Sequence, residues 1–302
     1  MAQISAIIRS MRLRTLPLSL SGVILGIMLA ATDYHIGIRT TILIMLTTVC
    51  LQILSNMSNE LGDVLNGTDT EDSQGPQYAL NSGAMTIDEM KRVIAAFVVI
   101  CIISGLVMIR VAFGTLFSSE ALLMLLLGAA SILAAMTYTL GRHPYGYRGF
   151  GDIAVFIFFG LASVLGAYFV SSHGIMHPLL LLPAAAIGFF CVGVLNLNNI
   201  RDMKTDAVNR VTVAIKLGIH RARIYQTGLI VFGWACMVAF CLMQPANPWH
   251  YLFILPLPLY AIHIKGVWTL TDRALDKMLP VLVMASFAFA ILAGIGMMVS
   301  GL

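Results

Sequence analysis

The chain has 302 residues, 59% of them hydrophobic and only 11% charged, with a mean hydropathy of +0.91. Soluble globules carry about 25% charged residues, so this composition excludes one and indicates an integral membrane protein. The net charge of +4 is spread along the chain rather than gathered on one solvated face, so no nucleic-acid partner is expected.

A hydrocarbon core of about 30 Å takes roughly 17–25 apolar residues per helix. Nine segments qualify: 16–32, 40–61, 93–113, 121–140, 153–170, 178–200, 225–243, 251–270 and 279–301. The expected fold class is all-α, a polytopic membrane protein of nine transmembrane helices forming a single domain over 1–302 in the lipid bilayer. The first segment follows Arg9, Arg12 and Arg14, as a signal peptide would. It lacks an A-x-A site before Asp33 and the next segments are equally long, so it reads as a span. The second segment runs into "LSNMSNELGDVLNGTDTED", and the fourth into "YTLGRHPYGYRGFGD". The glycines of that second stretch are in the wrong order for a dinucleotide fingerprint and have no βαβ context. It reads as a tight turn into the fifth span, with Asp152 a further site candidate. The sixth segment ends in "LNLNNIRDMKTD", and the eighth is interrupted by Pro256, Pro258, His263 and Lys265. Cys50, Cys101, Cys191, Cys236 and Cys241 lie in apolar runs without C-x-x-C spacing, which suggests neither a disulfide framework nor a metal site.

Cytoplasmic loops are enriched in lysine and arginine. With the N-terminus inside, 16 of the 18 basic residues fall on the cytoplasmic side, leaving Arg39 and Arg110 outside. Acidic residues do not set topology, yet 12 of the 14 converge on the same side, leaving Asp33 and Glu120 outside. The expected location is the cell's inner, cytoplasmic membrane, with the chemistry facing the cytoplasm. The sequons "NMS" and "NGT" then lie where glycosylation does not occur.

Two acidic helix ends stand out. Asn59 and Asp63 are four residues apart and project from one helix face; the spacing recurs as Asn198 and Asp202, with Asp206 one turn on. Four spans separate the two sites, which suggests duplication of a four-helix unit. Carboxylates at this density repel one another unless a cation sits between them. Hard oxygen donors select Mg²⁺, which binds through one or two carboxylates plus substrate phosphates. Two half-sites suggest two Mg²⁺ ions bridging a diphosphate, with Arg201, Lys204, Arg210 and Lys216 completing the clamp. Asp and Asn also end helices at membrane interfaces, and Glu71, Asp72, Asp88 and Glu89 read as that kind of solvated surface.

The pattern N-E-L-G-D-x5-D followed by N-N-x-x-D-x3-D resembles the aspartate-rich motifs of the UbiA-like superfamily of intramembrane prenyltransferases, which are nine-helix proteins. "RLRTLPLSLSGVILG", "NELGDVLNGTD", "YTLGRHPYGYRGFGD" and "NNIRDMKTDAVNRVTVAIKLG" are similar to stretches of its 1,4-dihydroxy-2-naphthoate polyprenyltransferases, which serve menaquinone synthesis. The resemblance implies Mg²⁺ and diphosphate binding by Asn59, Asp63 and Asp69 and by Asn198, Asp202 and Asp206. It also implies transfer of a polyprenyl group from polyprenyl diphosphate to dihydroxynaphthoate, with loss of CO₂, giving a demethylmenaquinone. Three departures stand out. Glu60 replaces an aspartate common in the family. "SQGPQYALNSG" lacks a basic residue usual after the first motif, which shifts the expected phosphate contacts to Arg14, Arg142, Arg210 and Lys216. Leu140 replaces a small residue.

Tyr138, Tyr145 and Tyr147 cluster at the fourth loop, where an aromatic face would stabilise a cation and a hydroxyl would orient the acceptor; Tyr138 and Tyr147 are the catalytic candidates. Tyrosines also favour membrane interfaces. Another acceptor of the 4-hydroxybenzoate type is the nearest alternative. Alcohol phosphatidyltransferases, also metal-dependent, need a D-G-x-x-A-R motif absent here. A cation-coupled transporter would carry its acids at the bilayer midplane on broken helices rather than at helix ends.

Overall fold

The computed structural model describes residues 4–67, 78–207 and 209–300. Among them nine helices are long and apolar enough to cross a membrane. The helices that carry these spans are, in chain order, α1 (Leu16–Ala30), α2 (Ile38–Leu65), α3 (Ile87–Phe113), α4 (Ser119–Thr137), α5 (Gly151–Ser171), α6 (Leu181–Arg201), α7 (Val213–Leu242), α8 (Leu257–Thr269) and α9 (Met278–Ser300); the first, sixth, eighth and ninth spans, Ile4–Ala30, Pro178–Arg201, Pro248–Thr269 and Asp272–Ser300, also take in the helical turns that precede them. A short helix, Ile4–Ser10, precedes α1. No strand forms among the described residues; Arg148 and Val211 make one isolated bridge.

Span ends differ from the hydropathy reading where local chemistry overrides apolarity. The third helix begins six positions earlier than 93, because Thr86 and Glu89 form a reciprocal capping box that satisfies backbone donors at the helix start. Glu89 therefore has a specific local role. The seventh begins at Val213 rather than 225, since the Thr212 hydroxyl accepts the Ile215 N–H at 3.2 Å. Gly218, at φ +72°, breaks that helix near its start, a conformation only glycine adopts readily. Pro256 stands at the N-cap of α8 rather than inside it, so the eighth span divides into a 3₁₀ turn, Pro248–Ile254, and a helix.

The outer surface is apolar: Val99 and Ile103 on α3, Leu126 on α4 and Phe232 on α7 are exposed, as a lipid-facing surface requires. The largest packed cluster joins α1 and α5 to α9. At its centre Phe190 and Phe289 meet edge to face at 5.0 Å, a favoured aromatic geometry. A second cluster lies between α2 and α3, and a third closes one end of α1 to α5. Between them runs a cavity of about 1040 Å³.

α1 touches both α2 and α6, which carry the two acidic motifs. A buried polar set fastens it to α2: Ser19 donates to Gln52, the Gln52 amide donates to Asn56 at 3.0 Å, and Asn56 donates to the Met11 carbonyl at 2.8 Å. With these groups mutually satisfied, the desolvation penalty of unpaired amides inside the membrane is avoided.

Candidate functional site

Both motifs reach the same cavity. Asn59 and Asp63 from the end of α2 line it, as do Asn198 from α6 and Asp202 and Asp206 just beyond that helix. Asp69 lies outside the described residues. The close approach behind the first motif depends on Gly62, where a Cβ would collide with Thr139. The Thr139 hydroxyl instead donates to the Ser58 carbonyl at 2.9 Å and lies 3.4 Å from the Asn59 side-chain oxygen.

One arginine ties the two halves. The Arg210 Nη2 donates to Asp63 Oδ1 at 2.6 Å, its Nε lies 3.7 Å from Asp206 Oδ1, and its guanidinium sits 4.9 Å over the Tyr147 ring. The Tyr147 hydroxyl donates to the same Asp63 oxygen at 2.6 Å. The loops carrying these residues are joined where the Val211 N–H donates to the Tyr147 carbonyl at 2.9 Å. Burial works against the Arg210 charge, but Asp63 and Asp206 outweigh it and hold the guanidinium's pKa above its ordinary value, so this cation is permanent.

A second ion-pair chain also borders the cavity. Arg201, 7% exposed, grips Asp202 through both carboxylate oxygens at 2.8 and 2.6 Å and gives its Nη1 to Asp276 at 2.5 Å. Two-pronged arginine–carboxylate pairs fix orientation as well as charge. Asp276 also receives Arg14 at 3.6 Å, and Arg14 reaches the Tyr78 hydroxyl at 3.3 Å. Arg12 stacks on the Tyr78 ring at 3.9 Å.

The expected basic residues thus separate. Arg14, Arg201 and Arg210 line the cavity. Lys216 is exposed and does not itself line the cavity, but its Nζ lies 3.2 Å from where a Cβ on Gly149, a lining residue, would stand. Lys204 is solvated and paired with Asp272 at 2.8 Å, and Arg142 is exposed; neither lines the cavity. Tyr138 and Tyr145 line it and meet edge to face at 5.3 Å. Burial pushes the Tyr145 phenol up to about 12 and raises that of Tyr138 also, so both stay protonated near neutral pH. Asp152 accepts from Tyr225 at 2.9 Å and also lines the cavity.

Sequence reasoning missed Asp276 and Tyr78, which belong to no motif. Their available signal was position: "TDRALDK" and the segment after the first motif face the same end as the acidic pairs. Glu60, flagged as a departure, is fully buried and accepts the Leu80 N–H at 2.8 Å; its longer arm anchors the chain leading into α3.

The donor set suits a hard divalent cation: carboxylates and amide oxygens, with no sulfur or imidazole among the motif residues. No three His, Cys, Asp or Glu among the described residues cluster as a ready-made cage.

Nine spans among the described residues, with α1 to α6 and α9 walling a chamber that is acidic and arginine-rich at one end and apolar below, define a polytopic membrane protein built to hold an amphiphile with an anionic head. The chain belongs to the UbiA prenyltransferase family, whose sequence profile matches residues 19–291. It is 40% identical over 253 residues to the 1,4-dihydroxy-2-naphthoate octaprenyltransferase of Escherichia coli K12, covering 83% of this chain and 81% of that protein. To the enzyme of the same name from Haemophilus influenzae it is 35% identical, covering 95% and 94%. The fold matches that of a UbiA homolog from Aeropyrum pernix K1 with a TM-score of 0.70 at 18% identity, covering 95% of this chain and 98% of that one. It also matches a UbiA homolog from Archaeoglobus fulgidus bound to DMAPP and Mg²⁺, with a TM-score of 0.63 at 14% identity, covering 94% and 99%.

Proposed function

We propose that the protein transfers a polyprenyl group from polyprenyl diphosphate to 1,4-dihydroxy-2-naphthoate. The carbon–oxygen bond to the diphosphate breaks, a bond forms to the ring carbon bearing the carboxylate, and that carboxylate leaves as CO₂. Its electron pair returns to the ring, giving the hydroquinone form of a demethylmenaquinone. The carrying observation is the shared cavity, in which Arg210 bridges Asp63 of the first motif to Asp206 of the second. The two relatives named for this acceptor, at 40% and 35% identity, support its choice.

Asn59, Asp63, Asn198, Asp202 and Asp206 would hold Mg²⁺, as two ions, and Asp69 is proposed with them. Bound Mg²⁺ would draw off the charge that builds on the departing diphosphate. Arg14 at the cavity wall, with Lys216 proposed beside it, offers fixed positive charge to the same oxygens. Arg201 and Arg210, each paired with two aspartates, serve instead to fix Asp202 and Asp63. The protonated Tyr138 and Tyr145 present ring faces to an allyl cation, while Tyr147, under the Arg210 guanidinium and bonded to Asp63, holds that carboxylate in place; the apolar walls keep water from quenching the cation. The lysine and arginine distribution supports an N-terminus and a site on the cytoplasmic face of the inner membrane.

The test is a membrane assay with Mg²⁺, octaprenyl diphosphate and, in parallel, 1,4-dihydroxy-2-naphthoate or 4-hydroxybenzoate, following prenylated product and CO₂. Product with CO₂ from the naphthoate is expected. Product only from 4-hydroxybenzoate would overturn the acceptor, and no Mg²⁺-dependent product from either would overturn prenyl transfer.

A further inference from the structure

The cations lining the cavity are not equally available to a ligand. Arg201 and Arg210 are each held by two aspartates, and Arg14 is shared between Asp276 and the Tyr78 hydroxyl. Arg12 lies stacked on the Tyr78 ring. Lys277 also lines the cavity, yet among the described residues its ammonium has no ion-pair or hydrogen-bond partner. Its chain neighbour Asp276 does not serve, because that carboxylate's two oxygens face Arg201 and Arg14. A positive charge turned into a chamber without a counter-ion of its own offers a place to an anion from outside the chain.

Lys277 ends the 3₁₀ turn that leads into α9. Just beyond it Leu279 and Val283, four positions apart and so on one face of α9, line the cavity, as do Cys191 and Val194 on α6 and Leu18 on α1. All five belong to the largest packed cluster, and none is more than 8% exposed. α9 packs against both α1 and α6, so the unpaired ammonium stands at the head of a dry apolar wall built by three adjoining helices. From Lys277 to Val283 is six positions (283 − 277), about 9 Å of helix rise, which leaves room for a fused pair of aromatic rings.

Two anionic groups would enter this chamber: the donor's diphosphate and the acceptor's carboxylate. A diphosphate is polar throughout and gains nothing from an apolar wall. An aromatic hydroxy acid joins one carboxylate to a flat apolar body, the combination that Lys277 and this wall present. We infer that Lys277 binds the carboxylate of the acceptor, with the rings laid against α1, α6 and α9. The inference rests on the prenyl-transfer reading above. Because the carboxylate is borne by the carbon that receives the prenyl group, anchoring it also positions the attacking carbon.

The experiment measures the KM of each substrate separately, with purified enzyme in lipid nanodiscs, Mg²⁺, octaprenyl diphosphate and dihydroxynaphthoate. Alongside it is measured the inhibition constant of naphthalene-1,4-diol, which has the same rings without the carboxylate. Lys277→Gln should raise the KM for dihydroxynaphthoate about tenfold, the scale of one charge-assisted hydrogen bond, while the donor's KM and the diol's inhibition constant stay within about twofold. Lys277→Arg, which keeps the charge, should restore most of the loss. A rise in the donor's KM with the acceptor's unchanged would assign the ammonium to the diphosphate. A diol weakened as much as the acid would show that Lys277 shapes the wall rather than pairing with a carboxylate, and no change in any constant would place the lysine outside the site; each of these three results overturns the inference. If the unmodified enzyme turns over no dihydroxynaphthoate, the acceptor reading fails first and takes this inference with it.

Discussion

Replacing Arg210 with glutamine removes the guanidinium that touches both motifs. The change leaves Asp63 and Asp206, with side chains 11% and 9% exposed, without the guanidinium now 2.6 and 3.7 Å away. A charge-assisted hydrogen bond is worth about 1.5–3 kcal/mol, and stranding one partner of a buried pair costs about 3–5 kcal/mol. Arg210 keeps some solvent contact, so about 3 kcal/mol is the working figure, or roughly a hundredfold at 1.4 kcal/mol per decade. The assay is a double-mutant cycle on prenyl transfer in nanodiscs, with Arg210→Gln, Asp63→Asn and both together, each checked for a monodisperse folded peak. Because the arginine acts through Asp63, its loss should cost much less in the Asp63→Asn background, giving a coupling of about 1.5–3 kcal/mol. Fully additive effects, with coupling below about 0.5 kcal/mol, would refute the reasoning. Arg210→Lys should recover only part of the rate, since a point charge cannot reach both carboxylates and stack on Tyr147 together.

Glu60→Ala should lower the unfolding free energy in detergent by about 1–3 kcal/mol, because the Leu80 N–H loses its acceptor; an unchanged melting curve would contradict the anchoring role. Thr86→Ala should cost about 1 kcal/mol of stability while kcat stays near that of the parent, since the cap does not line the cavity; a large loss of turnover would show that the start of α3 does more than end a helix. Lys204→Ala should keep activity within about twofold, as this side chain is 80% exposed and bonded to Asp272 outside the cavity; a tenfold rise in donor KM would return it to the diphosphate site. Gly62→Leu should abolish transfer by displacing Thr139 from the first motif, and near-normal kcat/KM would mean that α2 can shift without disturbing Asn59 and Asp63.

The nine spans were legible because lipid demands long apolar runs, and hydropathy registers that directly. Their ends were not, for two separate reasons. Thr86 and Glu89 start α3 by hydrogen bonding, which an apolarity window does not see. The seventh apolar run starts at 225, past Arg221 and Arg223, yet α7 passes through both, with Arg223 donating to the Leu270 carbonyl at 2.9 Å. The Asn59–Asp63 and Asn198–Asp202 spacings were readable because one helix turn places each pair on one face. Which cations would meet them was not: Arg201, Lys204 and Arg210 look equivalent in sequence, yet one is buried between two aspartates, one is solvated and one bridges the motifs. Asp276 depends on a contact 75 residues away in the chain, and no local pattern encodes it.

Both motifs together are proposed to form a single site for one diphosphate and its Mg²⁺. The most direct measurement is Mg²⁺-dependent binding of a non-hydrolysable prenyl diphosphate analogue to purified, folded protein carrying Asp63→Asn or Asp202→Asn. A shared site predicts that either substitution alone abolishes the Mg²⁺-dependent part of the binding. Full Mg²⁺-dependent affinity in either variant would mean that the motifs act separately, and would contradict the account.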